Sequence, residues 1–292
     1  MGNTSSDLSK KYKKVSPVRE VMSLLVRNKA AMAGLIFLIL LVGVSLSADL
    51  LYESQVVEQN ISERLQWPSV EHLFGTDEYG RDLLARVVHG SRLSLSVSFV
   101  SVLASLIIGG ILGAVSGYYG GLLDEIIMRI TDIFLAIPMT LLAMVIVAAL
   151  GASTTNLIIS LSLSAVPTFA RIVRSSVLTV REVEYIEAAG AIGAKDGTII
   201  FSHILPNCIG PIIVQTTLRV AAMISNTAGL SFLGLGVQAP APEWGALLSA
   251  GRNYIRDYSY LTFIPGLAIM LTILALNLLG DGLRDALDPR LK

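Results

Sequence analysis

Residues 133–170 contain no charged side chain. As one helix they would rise roughly 57 Å, nearly twice the ~30 Å hydrocarbon core of a bilayer. The run must therefore be divided, and the polar, helix-breaking GASTTN at 151–156 divides it. The pattern predicts two membrane-spanning helices joined by a tight turn. Further apolar runs near 30–48, 93–116, 209–233 and 259–280 each approach the ~20 residues that cross a membrane. The chain reads as an all-α membrane protein with six transmembrane helices. Composition agrees: 53% of the residues are hydrophobic and 15% charged, against about 25% charged in ordinary soluble domains.

Six spans put both termini on one side, and positive charge indicates which. Cytoplasmic segments are enriched in Lys and Arg. With the N-terminus inside, the inner segments hold fifteen of them and the outer ones six (Arg64, Arg81, Arg86, Arg92, Arg252 and Arg256), with Arg219 inside span five. The distribution predicts an N-in, C-in chain. The first apolar run is 19 residues long, beyond the ~7–15 of a signal-peptide core, and is expected to stay as an anchor. MGNTSS fits a myristoylation pattern that is short and common by chance. Net charge is zero, so no nucleic-acid partner is indicated, and the single cysteine, Cys208, excludes an intrachain disulfide.

Span two places Ser101, Ser105, Gly109, Gly113 and Gly117 four residues apart. Small residues at this spacing let another helix backbone approach closely, either within this chain or on a second membrane subunit. Arg219 is the only charge well inside a span. It either lines a solute pathway or snorkels and pairs near the span's end. No catalytic constellation is present: GLSFLG at 229–234 lacks nucleophile-elbow spacing. There is no phosphate-binding G-x-x-x-x-G-K-[ST] loop. His72, His89 and His203 lack metal-ligand spacing, so no metal site is expected. If the chain transports, energy comes from a gradient or from another subunit.

Residues 185–207, YIEAAGAIGAKDGTIIFSHILPN, interrupt this apolar pattern and fall in the inner loop between spans four and five. Ala and Glu favour helix, which predicts a short helix over 183–192. Glu182, Glu184 and Glu187 suit its N-terminal end. Alanines 188, 189, 191 and 194 are expected to form one thin surface able to enter a groove on another protein. Gly193 permits a turn, and Pro206 is expected to stop the second helical stretch before span five. A membrane protein without an engine, presenting a knob to the cytoplasm, suggests an engine that docks there.

The spacing Glu187-Ala188-Ala189, then Gly193, then Leu205-Pro206, with His203 two residues before Leu205, resembles the EAA loop of ABC-importer permeases. HLFGTDEYGRDLLARVVHGSRLSL at 72–95, LSFLGLG at 230–236, PAPEWG at 240–245 and GDGLRDALDPR at 280–290 are similar to the second-permease (OppC/DppC-like) branch of the oligopeptide, dipeptide and nickel importers. The resemblance runs from about Arg27 to the end. It departs at Thr227, where many members have Glu, so any pathway role of that Glu is not carried over.

The resemblance implies a type I ABC importer permease fold in a prokaryotic cytoplasmic (inner) membrane. It implies a non-enzymatic permease subunit forming half of a translocation pathway for di- or oligopeptides. Implied partners are a homologous second permease, two cytoplasmic ATPases that hold ATP and Mg, an external substrate-binding protein, the peptide and membrane lipid. The chain itself is expected to bind no cofactor. ATPase coupling falls to Glu184, Glu187, Ala188, Ala189, Gly193, His203, Leu205 and Pro206. Expected divisions are a tail over 1–29, an anchor and external loop over 30–92, a transmembrane domain over 93–281 with its cytoplasmic loop at about 171–208, and a tail over 282–292. Nickel or another small solute, and a gradient-driven transporter acting alone, remain the alternatives.

Overall fold

The computed structural model describes residues 17–52 and 56–287, and the elements between these bounds are helical, with no strand among the described residues. Helix α1 (Pro17–Arg27) leads into α2 (Lys29–Leu46) and the short α3 (Ala48–Tyr52). The long α4 (Leu83–Tyr119) follows, then α5 (Gly121–Leu135), α6 (Met139–Leu150) and α7 (Thr154–Arg181). Helix α8 (Glu184–Ala191) precedes α9 (Asp196–Phe232), whose first turns include a π-helical segment, Ile199–Ile204. Helices α10 (Trp244–Gly251) and α11 (Tyr260–Leu287) complete the chain. Five helices, α2, α4, α7, α9 and α11, are each long and apolar enough to cross a membrane, and the pair α5–α6 makes a sixth candidate.

Local chemistry sets the breaks. Gly151, at φ +90°, closes α6, and the Ser153 side chain caps α7 by accepting from the Asn156 amide at 3.1 Å. Asn156 Nδ2 donates to the Leu150 and Gly151 carbonyls, both at 2.9 Å, satisfying the end of α6. Asn28 caps α2 and Asp82 caps α4 in the same manner. The third span is not the straight helix from Ile133 that the uncharged run suggests. It is two helices bent by 86° at residues 136–138. Pro138 is the N-cap of α6, and proline drives the residue before it out of helical geometry.

Pro206 does not stop a helix either. The chain continues through it from Asp196 to Phe232. A proline ring collides with the carbonyl four residues earlier, and the wider π segment immediately before Pro206 gives that carbonyl another place to point. At the other end of the chain, α11 persists to Leu287, so the stretch from 282, expected as a tail, begins as helix.

The centre of the bundle is the α4–α7 contact. Ser101, Ser105, Gly109, Gly113 and Gly117 are all buried, and they face α7 of the same chain. A Cβ on Gly109 would lie 2.6 Å from the Val166 carbonyl oxygen, and one on Gly117 would lie 3.0 Å from the Val177 Cβ. Ser105 Oγ donates across the seam to the Ser162 carbonyl at 2.9 Å. At Gly109 and Gly113 the α7 backbone comes directly against α4, with no α4 side chain between them. The main apolar core, with Phe169, Leu157, Leu161, Met223 and Ile224, lies beside this seam. Helix α11 joins through Gly34 of α2, whose Cβ would sit 2.6 Å from the Ala275 carbonyl, and through Gly280 against Leu218 of α9.

Two glycines three residues apart on α4, one open and one packed, separate packing from mere composition. A Cβ on Gly110 meets nothing within 4 Å, whereas one on Gly113 would press on the Ala170 carbonyl and lie 2.9 Å from the Arg174 amide. Gly113→Leu is expected to cost at least about 1–3 kcal/mol, read as roughly 2–10 °C in Tm. Gly110→Leu should leave Tm within a degree or two. Thermal unfolding of the two variants in one detergent checks both.

Candidate coupling site at the α8 end of the bundle

Ile186 is the one buried residue of α8. It sits in a cluster formed by Ala114 of α4, Val173 and Val177 of α7, and Ile199, Ile204 and Cys208 of α9. A small helix is thereby seated on the ends of three spans. Ala189, Ala194 and Leu205 pack at the edge of that cluster. The rest of α8 is open: Glu184, Glu187, Ala188 and Ala191 are exposed.

The end of α8 is a Schellman closure. The Gly193 amide donates to the Gly190 carbonyl at 2.9 Å and the Ala194 amide to the Ala189 carbonyl at 3.1 Å, with Gly193 at φ +85°. Only glycine takes that conformation without cost. The chain then turns directly into α9. Tyr118, near the end of α4, donates to Asp196 Oδ1 at 2.9 Å and ties the start of α9 to α4.

Ion pairs hold the neighbouring helix ends. Arg174 of α7 makes a two-pronged contact with Asp124 of α5, Nε to Oδ1 at 2.6 Å and Nη2 to Oδ2 at 2.5 Å, and Ser116 of α4 donates to the same carboxylate. Arg171 reaches Asp132 at 2.6 Å, and Arg181 donates to the Gly117 carbonyl at 3.2 Å. A two-pronged guanidinium–carboxylate contact fixes orientation as well as distance. These contacts tie α5 to α4 and α7.

The alanines do not share one surface. At about 100° per residue, Ala189 falls on the inward side with Ile186 while Ala188 and Ala191 face out. Ala194, beyond the turn, is half-buried against the cluster. The outward stripe is instead Tyr185, Ala188 and Ile192, three and four residues apart. Tyr185 is 44% and Ile192 87% exposed. Neither stands out in composition, and the spacing i, i+3, i+7 was the available signal. Of the remaining candidates, His203 lies half-buried on the π segment, its carbonyl accepting from Asn207 Nδ2 at 2.6 Å. Pro206 is exposed.

Two candidates lie elsewhere on α9. Arg219 is half-buried and forms no hydrogen bond or ion pair among the described residues. Ala222, Ser225 and Gly229, further along α9, are exposed, and a Cβ on Gly229 meets nothing within 4 Å. Thr227 points the other way, fully buried, with its Oγ1 3.4 Å from Ser98 Oγ of α4. Among the described residues no three His, Cys, Asp or Glu side chains converge as metal ligands.

Comparison with known proteins places this arrangement. Residues 109–292 match the family described as binding-protein-dependent transport system inner membrane component, and residues 16–68 match the N-terminal TM domain of oligopeptide transport permease C. The chain is similar to the dipeptide transport system permease protein DppC of Alkalihalophilus pseudofirmus, at 51% identity over 96% of this chain and 92% of the relative. It is 42% identical to the glutathione transport system permease protein GsiD of Pectobacterium atrosepticum, over 95% and 92%. Among solved structures, the fold is similar to that in the inward-facing MetNI methionine ABC transporter, with a TM-score of 0.59 at 21% identity. That likeness covers 70% of this chain and 98% of the other.

The Schellman closure makes α8 sensitive at one position. Gly193→Val puts a branched side chain in the left-handed region, at roughly 1–2 kcal/mol. Hydrogen exchange at the Ile192 and Ala194 amides should rise roughly 5–30-fold, while Gly193→Asn, which tolerates this region, should leave exchange near wild type.

Proposed function

Because the chain belongs to the family of binding-protein-dependent transport system inner membrane components, we propose that it supplies one half of the pathway of an ATP-driven peptide importer. In this reading α8 is the coupling helix that docks on a cytoplasmic ATPase. The observation that carries the docking is the stripe Tyr185–Ala188–Ile192, apolar and uncovered, beside the carboxylates of Glu184 and Glu187. Small and apolar residues flanked by charge suit the floor and rim of a protein groove. The seat beneath it transmits force, since α8 rests on α4, α7 and α9 together.

ATP and Mg reside on two ATPase subunits, and hydrolysis is theirs. The α8 end faces the cytoplasm of a prokaryotic inner membrane, and both termini lie on that side. The excess of Lys and Arg in the segments at that end supports the orientation. A homologous permease covers the exposed face of α9. Lipid-facing positions of α4 are large and apolar, Phe99, Leu103, Ile107 and Ile111, whereas α9 exposes Ala222, Ser225 and Gly229 near Arg219. A polar, narrow face on a spanning helix suits a pathway or a close partner better than lipid. An external substrate-binding protein delivers the solute. Peptide is the solute class supported by relatives named for dipeptide and glutathione transport.

The test is a gentle-detergent pull-down of tagged chain from its own membranes. A second permease and ATPase subunits are expected with wild type. Ile192→Asp, at a site too exposed to disturb folding, should reduce ATPase recovery about tenfold or more while keeping the second permease. Glu187→Lys should act in the same direction. A wild-type chain recovered alone, in detergent that preserves other membrane complexes, would overturn the importer reading.

A further inference from the structure

At the opposite end of the bundle from α8, a cavity of about 300 Å³ opens between residues 77–86, the 239–241 loop and α10. One wall is charged, with Asp77, Arg81 and Arg86. The other is small and apolar, with Pro240, Ala246, Ala250 and Leu261. Helix α4 is about 55 Å long at 1.5 Å per residue, so its first turns, including Arg86, stand clear of a ~30 Å hydrocarbon layer.

Arg86 is 4% exposed. Its Nη1 donates to the Val56 carbonyl at 3.0 Å and its Nη2 to the Pro240 carbonyl at 3.4 Å. Its Nε has no hydrogen-bond partner among the described residues. The nearest carboxylate oxygen, Asp77 Oδ2, is 3.4 Å from that Nε but accepts from Arg81 Nε at 2.7 Å. Asp77 Oδ1 accepts from the Tyr79 and Arg81 amides at 2.9 and 3.0 Å. Asp77 thus gives its hydrogen bonds to Arg81 and its own turn, and meets Arg86 only as an ion pair without a hydrogen bond.

Two buried guanidiniums therefore share one committed carboxylate. The imbalance is felt: burial, and then the charge of Arg81, push Arg86 down to about 10. Glu78, also on the cavity, forms no hydrogen bond or ion pair with Arg86 among the described residues, and burial raises its carboxyl pKa. A buried cation with an empty donor is costly until an acceptor arrives. A carboxylate is the acceptor that matches guanidinium geometry.

We propose that this cavity binds the carboxylate end of a short peptide, held by Arg86 and Arg81, with its small apolar body against Pro240, Ala246 and Ala250. The volume lies at the lower limit of ligand pockets, which restricts the occupant to about dipeptide size. Carboxylate recognition follows from the cavity alone, and the choice of a peptide rests on the importer function proposed above. The site is a station on the far side of the membrane from α8, ahead of Arg219 for a solute moving toward the α8 end.

The experiment is a calorimetric titration of the full chain with the subunits that accompany it, in lipid nanodiscs and without external binding protein. The probes are dialanine, dialanine amide and acetate. Dialanine is expected to bind, and its amide to bind at least about tenfold more weakly, the loss of a charge-assisted hydrogen bond. Acetate, lacking the body, should also fall at least about tenfold. Arg86→Gln and Ala250→Phe should each reduce dialanine binding at least tenfold. Ala250 is exposed and touches no charge network, so the second variant stands if the first fails to fold. No dialanine binding at tens of millimolar, equal binding of the amide, or wild-type binding in folded Ala250→Phe would overturn the site. Acetate binding as tightly as dialanine would overturn the peptide assignment. The pull-down decides the importer reading separately, since a chain lacking ATPases can still be titrated.

Discussion

Backbone against backbone, α4 on α7, is the contact on which the rest is built. Hydrophobic burial does little to hold helices together where the surrounding lipid is equally apolar, so close approach and interhelical hydrogen bonds carry the association. The buried run from Ser101 to Gly117 supplies both, with Ser105 bonded to the Ser162 carbonyl and glycines where side chains would collide. Helices α9 and α11 pack around this seam, and the cluster under Ile186 is assembled from the ends of α4, α7 and α9. Helix α8 is thereby seated on three spans at once.

The two ends of the bundle are built differently. At the α8 end, interactions are charged and paired, Arg174 with Asp124 and Arg171 with Asp132, and the protruding helix is secured by one isoleucine. At the other end, α10 is locked in by buried polar bonds between distant residues. Trp244 Nε1 donates to the Val87 carbonyl at 2.9 Å, and Glu243 accepts from Ser94 at 2.8 Å while capping its own helix. Arg86, which lines the cavity, is the place where that polar accounting is left open: its buried Nε has no hydrogen-bond partner among the described residues.

Much of the architecture was legible in the amino-acid pattern. The length of the uncharged run required a division, and Gly151 with Ser153 and Asn156 provided it. The short helix after Arg181 and the turn at Gly193 followed from alanine, glutamate and glycine. What misled was proline. Pro206 looks like a stop, yet a π segment admits it into α9. Pro138 lies in an apolar stretch that reads as one span but breaks into two helices at 86°. Local preference states that the chain must deviate near a proline, and neighbouring helices decide whether it ends, bends or widens. On α8 the small alanines drew notice, although the exposed apolar stripe is made by Tyr185 and Ile192.

The sequence by itself determined that this chain crosses a membrane, roughly where it does so, and which loop is too polar to be a span. Those properties depend on hydrophobic length, which is additive along the chain. It also carried the small-residue stripe, but left open whether that stripe meets another subunit or the same chain. Only the tertiary structure decided that α7 fills it, that Thr227 faces inward while Ala222 and Gly229 face out, and that Arg86 is buried with a donor to spare. Each of those outcomes depends on which residues distant in sequence come within a few ångströms, and no one-dimensional pattern fixes such a distance.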